Sequence, residues 1–405
     1  MKLRIHPSRL SGHAVAPPSK SVAHRYLIAA ALADGESRIE GISSSEDISA
    51  TVDCLRSLGA EITICGEVAT VRGFDPRTAA PRDPLVCRES GSTLRFLLPL
   101  TWLSGSLATL TADGRLPERP LTVYEEIAAR EGLLLRREGK VITASGRLRG
   151  GEYTVSGNIS SQFITGLLLA LPFTGRDSVI RLVPPVESRS YLDLSLEALS
   201  RFGLPVRFTD ELTLAVPATD RLTACSCRVE GDYSNAAFLD ALSLLDHEVT
   251  VLGLSDDSRQ GDRVYRRHFA ALRDGAPTIS LADCPDLGPI LMAMAAALHG
   301  AHFKDTGRLR LKESDRGVTM AAELQKFGAR VSLAEEEITV HPSKLHPPKE
   351  EIDGHGDHRI VMAAATLMTR YGGVIRGYEA VRKSYPDYFT TLESLGGEVT
   401  YYENE

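Results

Sequence analysis

The sequence predicts an α/β protein of two domains, each built from three copies of one structural unit. Six apolar runs of helical length each follow a short polar cluster, and six amphipathic runs each end at a glycine. Repetition at a near-constant period indicates one unit used several times. The length of 405 residues exceeds what a single hydrophobic core usually supports, which favours two domains.

The apolar runs predict six buried helices. They start at Ser19, Ser90, Ser160, Asp232, Cys284 and Asp357. With Ser21, Ser92, Ser161, Ser234, Asp286 and Arg359 as anchors, successive copies lie 71, 69, 73, 52 and 73 residues apart. A helix that is apolar on most faces is buried. Its N-terminal end presents free N–H groups and a partial positive charge. Several such ends brought together would therefore form an anion-binding site.

The amphipathic runs predict six partly exposed helices, each followed by a strand. The glycines that end them are Gly59, Gly132, Gly203, Gly275, Gly328 and Gly396, which lie 73, 71, 72, 53 and 68 residues apart. We expect each glycine to adopt the left-handed conformation that commonly ends a helix. Both series have their short interval between the fourth and fifth copies, so the repeat belongs to the fold.

The six units divide naturally into two groups of three. Segments rich in β-branched residues near Leu182, His247 and Gly372 predict strands between the helices. We place residues 14–228 in the first domain and residues 1–13 with 229–405 in the second. The strand-like segment that begins at Leu3 precedes the first buried helix, and we expect it to complete the second domain.

Composition limits the function classes. The chain has 46 basic and 53 acidic residues, a net charge of −7, which argues against a nucleic-acid or anionic membrane partner. It shows no signal-peptide pattern and no apolar run of membrane-spanning length. Six cysteines without paired spacing indicate reduced thiols, so we expect a cytoplasmic protein.

Positively charged residues recur at equivalent loop or helix-start positions. They are Lys20, Arg25, Arg95, Arg115, Lys312, Arg316, Arg359 and Lys383. Each could be a surface charge by itself, but together they predict a ligand with several negative charges. Asp286 and Glu313 lie among them and offer general acid–base chemistry. Lys312 to Arg316 follow a segment, Arg308–Leu311, that looks like a strand.

Other site types are not supported. His355–Arg359 resembles a metal-binding segment, but no further cluster of ligands accompanies it and the arginine would repel a cation, so we expect no metal. The chain has neither the GxxxxGK loop of ATP-dependent kinases nor the GxSxG elbow of hydrolases.

Six segments resemble, in the same order, motifs of the 5-enolpyruvylshikimate-3-phosphate (EPSP) synthase family. They are Pro18–Arg25, Arg115–Pro120, Gly157–Phe163, Lys312–Arg316, Asp357–Arg359 and Lys383–Phe389. The resemblance implies two inverse α/β domains, each of three βαβαββ units around buried helices, that close over the substrates. It also implies transfer of the enolpyruvyl group of phosphoenolpyruvate to the 5-hydroxyl of shikimate 3-phosphate, on the pathway to chorismate and aromatic amino acids. The family uses no cofactor, and its members suggest a monomer.

The resemblance also implies a role for each matching residue. Those that would bind shikimate 3-phosphate are Lys20, Ser21, Arg25, Ser160, Ser161, Gln162, Ser188, Asp286 and Lys312. Those that would bind phosphoenolpyruvate are Lys20, Gly91, Arg115, Gln162, Arg316, Arg359 and Lys383. Asp286 would take the proton of the attacking hydroxyl. Glu313, helped by Lys20 or Lys383, would protonate C3.

Two positions near the second buried helix affect the expected binding of phosphoenolpyruvate and of its competitors. Glu89 stands where many family members have asparagine, which would weaken phosphoenolpyruvate binding unless Glu89 pairs with a neighbour such as Arg88. The retained Gly91 implies inhibition by glyphosate in competition with phosphoenolpyruvate.

Related repeat proteins remain as competing interpretations. UDP-N-acetylglucosamine enolpyruvyl transferase shares the fold and donor, but its pattern has Lys-Asn where this chain has Lys20-Ser21. A non-catalytic anion-binding protein or an RNA 3′-phosphate-processing enzyme could be built on similar repeats. The net negative charge and the complete set of acidic and basic residues disfavour both.

Overall fold

The computed structural model describes residues 1–81 and 83–402, which form two compact units. One unit comprises residues 18–230, and the other comprises residues 1–17 with 231–405. The chain therefore passes between the units after residues 17 and 230, not after 13 and 228 as the sequence suggested. The strand Ser11–Val15 pairs in parallel with Glu248–Leu252, which draws the segment around residue 14 into the second unit.

Twelve α-helices alternate in type along the described residues. The buried ones are α1 (Lys20–Ala31), α3 (Gly91–Thr101), α5 (Ser161–Ala170), α7 (Tyr233–Asp240), α9 (Gly288–Ala297) and α11 (His358–Tyr371). The amphipathic ones are α2 (Glu46–Leu58), α4 (Thr122–Glu131), α6 (Arg189–Arg201), α8 (Tyr265–Asp274), α10 (Arg316–Lys326) and α12 (Tyr388–Ser394). Both predicted series of helices are confirmed, and each unit has its own hydrophobic core around its three buried helices.

The strands are numbered in chain order. In the unit of residues 18–230 they are β3 (Ala33–Asp34), β4 (Glu36–Glu40), β5 (Glu61–Cys65), β6 (Val68–Arg72), β7 (Leu85–Val86), β8 (Ala108–Thr111), β9 (Leu134–Glu138), β10 (Val141–Ser145), β11 (Glu152–Ser156), β12 (Ser178–Val183), β13 (Arg207–Asp210), β14 (Thr213–Val216), β15 (Leu222–Thr223) and β16 (Ser226–Arg228). In the other unit they are β1 (Lys2–His6), β2 (Ser11–Val15), β17 (Glu248–Leu252), β18 (Thr278–Ser280), β19 (Ala301–Lys304), β20 (Arg330–Leu333), β21 (Glu337–His341), β22 (Ile352–Asp353), β23 (Gly373–Arg376) and β24 (Glu398–Tyr402).

Five four-stranded sheets share one pattern, in which a parallel pair is extended by two antiparallel strands. Their strand orders are β16-β4-β6-β5, β7-β8-β10-β9, β11-β12-β14-β13, β18-β19-β21-β20 and β22-β23-β1-β24. In the last sheet β1 lies between β23 and β24, with Leu3 opposite both Ile375 and Tyr401. The first strand therefore completes the second unit, as predicted.

The fourth copy of the repeat explains the short interval in both series. Its strand β17 pairs with β2 in a two-stranded sheet, and α8 leads directly into β18 of the next sheet. The antiparallel hairpin that follows the corresponding helices is missing at this point. Gly275 accordingly has an extended φ of 170°, so the left-handed conformation expected there is wrong. The other five glycines have φ between 68° and 119°, where a residue without Cβ is favoured.

Within the described residues, no helix is both long and apolar enough to cross a membrane. The strand-like segment Arg308–Leu311 is in fact part of a 3-10 helix, Gly307–Leu311. Its short alternation of polar and apolar residues fits either a strand or a helical turn, because four residues are too few to distinguish the two-residue period of a strand from the period of a helix.

Candidate active site

In the unit of residues 18–230, several residues predicted for the site lie at the N-terminal ends of the buried helices. Lys20, Gly91 and Ser161 are the first residues of α1, α3 and α5. Lys20 Nζ pairs with Asp47 Oδ2 at 2.6 Å, and its side chain is only 16% exposed. Sequence reasoning missed Asp47, whose signal was an acidic residue in the first turn of α2. An anionic ligand of Lys20 must therefore compete with this carboxylate.

A chain of buried hydrogen bonds joins α1, α2 and α3 beneath Lys20. His24 Nδ1 lies 2.8 Å from Thr51 Oγ1, which lies 2.7 Å from Thr93 Oγ1. Thr93 Oγ1 in turn donates to Ser90 Oγ, the N-cap of α3. Burial, with the charges of Lys20 and Arg25, holds the pKa of His24 well below its usual value. The imidazole is therefore neutral at physiological pH and fixes the helix ends in place.

Arg25 is buried and already engaged with the protein. Its Nε donates to Ser195 Oγ at 2.9 Å, its Nη1 to the Ser21 carbonyl at 2.7 Å, and its Nη2 to the Tyr191 carbonyl at 3.0 Å. Burial lowers its pKa to about 10, so it stays charged at neutral pH. Arg25 ties α1 to α6 and fixes a positive charge close to Ser21.

Two guanidinium groups converge on Gly91. A Cβ atom placed there would lie 2.9 Å from Arg119 Nη1 and 3.0 Å from Arg95 Nη1. Arg95 Nη1 also donates to Gln162 Oε1 at 2.9 Å, and Gln162 Nε2 donates to Ser92 Oγ at 3.1 Å. The glycine therefore leaves the backbone open beneath a pair of cations, as anion binding requires.

The turn Arg115–Pro120 presents its two arginines differently. Arg115 has a side chain 49% exposed, and its Nε lies 3.9 Å from Glu118. Arg119, which the sequence assignment passed over, is the one that approaches Gly91. The 3-10 helix Leu116–Glu118 separates them and turns the second arginine inward.

The serines predicted to bind the acceptor occupy cap positions. Ser160 caps α5 and accepts a hydrogen bond from the Gln162 N–H at 3.3 Å, and Ser161 is buried in its first turn. Ser188 caps α6 with φ of 55°, a left-handed conformation that is uncommon for a residue with Cβ. Such conformations concentrate at ligand sites, where surrounding structure enforces them.

Glu89 lies beside the loop that carries Gly114. A Cβ atom at Gly114 would collide with Glu89 Oε2, so the carboxylate packs directly on this glycine. Arg88, the neighbour considered for pairing with Glu89, has its Nη2 2.8 Å from Asp53 Oδ2. Arg88 is thus already ion-paired with Asp53.

In the unit formed by residues 1–17 and 231–405, Asp286 lies among three cations. It belongs to the 3-10 turn Pro285–Leu287 that leads into α9. Its Oδ1 is 2.9 Å from Lys312 Nζ and 2.7 Å from Arg316 Nη1, and its Oδ2 is 3.7 Å from Arg359 Nη2. Burial favours the protonated acid, but the three cations outweigh burial and hold the pKa of Asp286 well below its usual value. Asp286 is therefore an ionised carboxylate.

Arg316 is fully buried and contacts three carboxylates. It donates to Asp286 at 2.7 Å, to Glu313 Oε2 at 2.7 Å, and from Nε to Asp357 Oδ2 at 2.8 Å. Asp357 also caps α11, and its Oδ2 accepts a hydrogen bond from Ser314. Arg316 therefore joins the predicted base, the predicted acid and the start of α11 in one network.

Arg359 and Lys383 complete this cluster. Arg359 Nη1 lies 3.5 Å from Asn235 Oδ1, and Lys383 Nζ donates to the Gly356 carbonyl at 2.6 Å. Asn235, in the fourth buried helix, thus supports a predicted ligand of phosphoenolpyruvate. Lys312 is largely removed from solvent, which lowers its pKa although Asp286 opposes the shift.

Asp262 is a further buried acid near this cluster, and no sequence motif marked it. Burial and the charge of Asp286 raise its pKa to about 7, against the opposing effect of Arg359. Asp232 and Ser234, at the start of α7, also influence it. Among residues 1–81 and 83–402, no group of three or more His, Cys, Asp or Glu side chains could hold a metal ion.

Comparison with known proteins gives full-length matches. A family model described as EPSP synthase (3-phosphoshikimate 1-carboxyvinyltransferase) matches residues 5–392. A 3-phosphoshikimate 1-carboxyvinyltransferase from Clostridium kluyveri is 37% identical over 98% of this chain and 97% of that protein. The enzyme of the same description from Clostridioides difficile is 34% identical over 98% of each.

Solved structures agree on the fold. EPSP synthase from Acinetobacter baumannii has a TM-score of 0.77 at 22% identity and covers 99% of this chain and 100% of that one. The enolpyruvyl transferase NikO from Streptomyces tendae has a TM-score of 0.79 at 17% identity, with 98% of each chain covered. These likenesses confirm the predicted enolpyruvyl transferase-like fold of repeated α/β units.

Proposed function

Because the chain belongs to the EPSP synthase (3-phosphoshikimate 1-carboxyvinyltransferase) family, we propose that it transfers the enolpyruvyl group of phosphoenolpyruvate to shikimate 3-phosphate. The acceptor is its 5-hydroxyl, and phosphate is released. Both substrates carry several negative charges, which matches the cations at the helix ends in each unit. The observation that carries the chemistry is Asp286, a carboxylate only 20% exposed that Lys312, Arg316 and Arg359 keep ionised.

We assign the acceptor chiefly to the unit of residues 18–230. Lys20, Ser21, Arg25, Ser160, Ser161, Gln162 and Ser188 would surround shikimate 3-phosphate. Its phosphate would take Lys20 from Asp47, because a dianion attracts the ammonium more strongly than one carboxylate. Arg25 would act through its charge and by holding Ser21, since most of its donors contact the protein.

We carry over to phosphoenolpyruvate the residues that the family resemblance gives for it. Gly91, Arg115 and Gln162 would meet phosphoenolpyruvate, together with Lys20, Arg316, Arg359 and Lys383. We add Arg119, because it approaches Gly91 while Arg115 is half exposed.

The reaction would proceed by addition and elimination. Asp286 takes the proton of the 5-hydroxyl as its oxygen attacks C2 of phosphoenolpyruvate, while Lys312 steadies the acceptor. Glu313, Lys20 or Lys383 supplies a proton to C3, which gives a tetrahedral intermediate. C3 then loses a proton, the bond from C2 to the phosphate oxygen breaks, and the enol ether remains. Glu313 pairs with Arg316 at 2.7 Å, so this ion pair must loosen before Glu313 carries a proton.

A phosphate-release assay with both substrates tests the proposal. Turnover is expected with shikimate 3-phosphate, and Asp286→Asn should lower kcat by about 10²- to 10⁴-fold, the usual range for a general base. Asp256→Asn, a change at an exposed carboxylate, is the matched control and should leave kcat unchanged. Turnover with UDP-N-acetylglucosamine in place of shikimate 3-phosphate would contradict the proposal and favour the related transferase. Inertness with both acceptors would favour a non-catalytic anion-binding or RNA 3′-phosphate-processing protein.

We further propose that glyphosate inhibits in competition with phosphoenolpyruvate and that the enzyme is a cofactor-independent cytoplasmic monomer. The small residue at position 91 supports inhibition, since the space below Arg95 and Arg119 stays open. Velocity measured against phosphoenolpyruvate at several glyphosate concentrations tests the inhibition. Light scattering tests the monomer.

A further inference from the structure

An arginine-lined cavity lies away from the residues assigned to the substrates. It has a volume of about 690 Å³ and is lined by Arg77, Arg147, Arg149 and Arg176 above the apolar side chains of Leu103, Leu148 and Phe173. Among the described residues that line it, none is acidic. The volume lies within the range of about 300–1,000 Å³ that is typical of small-molecule sites.

The cavity lies at the C-terminal ends of buried helices. Leu103 follows α3, which ends at Thr101, and Phe173 follows α5, which ends at Ala170. Because α3 has 11 residues and a helix rises about 1.5 Å per residue, its ends are about 16 Å apart. Gly91 begins α3, so this cavity is separate from the substrate residues at the opposite helix ends.

Three of the four arginines carry charge that no acidic partner balances. Arg77 pairs with Asp75 at 2.9 Å and with Asp220 at 2.6 Å. Among the described residues, Arg147, Arg149 and Arg176 form no ion pair. Arg176 Nε donates to the carbonyl of Gly150. Arg147 packs on Gly105, where a Cβ atom would lie 3.2 Å from its Nε.

The helix dipoles balance only part of this positive charge. The C-terminal end of a helix carries about half a negative charge, so the ends of α3 and α5 together supply about one. Three unpaired guanidinium groups therefore leave about two positive charges at the cavity. A concave surface lined by one sign of charge concentrates ions of the opposite sign.

We propose that this cavity binds a small anion with two or more negative charges, carried by phosphate or carboxylate groups. Guanidinium groups suit such ligands because their planar N–H pairs match two oxygens at once. The proposal goes beyond the enolpyruvyl transfer and does not depend on it.

Titration calorimetry at low ionic strength tests the proposal with two probes, tripolyphosphate and citrate. The comparison is between the unchanged chain, Arg147→Ala/Arg149→Ala, and Arg136→Ala/Arg207→Ala, which removes the same charge from exposed strands of the same unit. Loss of two charge-assisted contacts should weaken binding at this site by about a hundredfold. The control pair should bind as the unchanged chain does. Stronger binding of tripolyphosphate indicates a phosphate ligand, and stronger binding of citrate indicates a carboxylate.

Tryptophan emission distinguishes this cavity from the substrate residues. Trp102 is the only tryptophan in the chain, and its carbonyl accepts a hydrogen bond from the N–H of Leu148 at 2.7 Å. A probe-dependent change in emission is expected in the unchanged chain and not in Arg147→Ala/Arg149→Ala. Turnover of this variant without probe should stay within about twofold, since neither arginine is assigned to substrate. Equal binding by all three proteins, equal losses in both variants, or no binding at all would overturn the proposal.

Discussion

Arg316 donates a hydrogen bond from Nη1 to Oδ1 of Asp286 at 2.7 Å, and the same oxygen lies 2.9 Å from Lys312 Nζ. One carboxylate oxygen is thus shared by the buried Arg316 and the partly buried Lys312. Both contacts stabilise the ionised form of Asp286, so it is ready to accept a proton but is a weak base. A substrate anion that draws a cation away would strengthen the base when the acceptor is bound.

Lys312→Met is expected to move the acidic limb of the pH profile of kcat/KM to higher pH. Lys312 lowers the pKa of Asp286, so its removal raises that pKa, and the base then becomes protonated at a higher pH. A cation this close favours the ionised carboxylate, so its removal moves the limb to higher pH and not to lower pH. Initial rates between about pH 3 and pH 8 measure the shift, because the pKa of Asp286 in the unchanged chain lies well below its usual value. Lys304→Met, at an exposed lysine of β19, should leave the limb in place; an unmoved limb in Lys312→Met would refute the coupling.

Arg316→Lys is expected to destabilise the protein and to lower activity. Lysine has no planar fork and cannot reach Asp286, Glu313 and Asp357 together, so at least one buried carboxylate loses its partner. Breaking a buried ion pair typically costs about 3–5 kcal/mol of unfolding free energy. Urea denaturation at pH 7 measures the loss. Arg310→Lys, at an exposed arginine of the same unit, is the control, and a loss for Arg316→Lys as small as that of the control would contradict the network.

Much of the fold was predictable because buried helix faces require apolar residues at regular positions in the sequence. Apolar runs and glycines at helix ends indicated the six copies and both helix types. In the sequence, the missing hairpin of the fourth copy showed only as a shorter spacing between the fourth and fifth copies. Which strands are absent could not be predicted, because β17 pairs with β2, more than 200 positions away in sequence.

The candidate site was predictable in outline only. Motifs indicated the positions of Asp286 and Arg316, but their contact depends on how separate turns pack. Asp47 and Asp262 belong to no recognisable sequence motif. Tertiary structure alone brings Asp47 next to Lys20 and Asp262 near Asp286. Arg119 had the same local sequence signal as Arg115, and only the direction of the turn separates the two.

Gly91→Ala is expected to raise the KM for phosphoenolpyruvate by about tenfold, a cost of about 1.4 kcal/mol. The new Cβ would lie within 3.0 Å of Arg95 and Arg119, so both guanidinium groups must shift away from the helix end. The KM for shikimate 3-phosphate should change little, and glyphosate should inhibit less. Steady-state kinetics with each substrate varied measure these effects. Gly275→Ala is the control, because a Cβ atom there meets nothing within 4 Å and the backbone is extended.

Asp262→Asn is expected to flatten the dependence of stability on pH. Its pKa is raised from 3.8 to about 7 in the folded protein, chiefly by burial and by Asp286. The folded state therefore binds a proton more tightly than the unfolded chain. Its contribution to stability is complete below about pH 4 and is lost as pH rises to about 7. Since one pKa unit corresponds to about 1.4 kcal/mol, the loss is on the order of a few kcal/mol.

Urea denaturation at pH 5 and pH 8 measures this effect for Asp262. The unchanged chain should lose more stability between the two values than Asp262→Asn does, because asparagine does not titrate. Asp256→Asn, at an exposed carboxylate of the same segment, should follow the unchanged chain. An identical loss in all three proteins would mean that Asp262 is ionised across the range, with Arg359 outweighing the effect of burial.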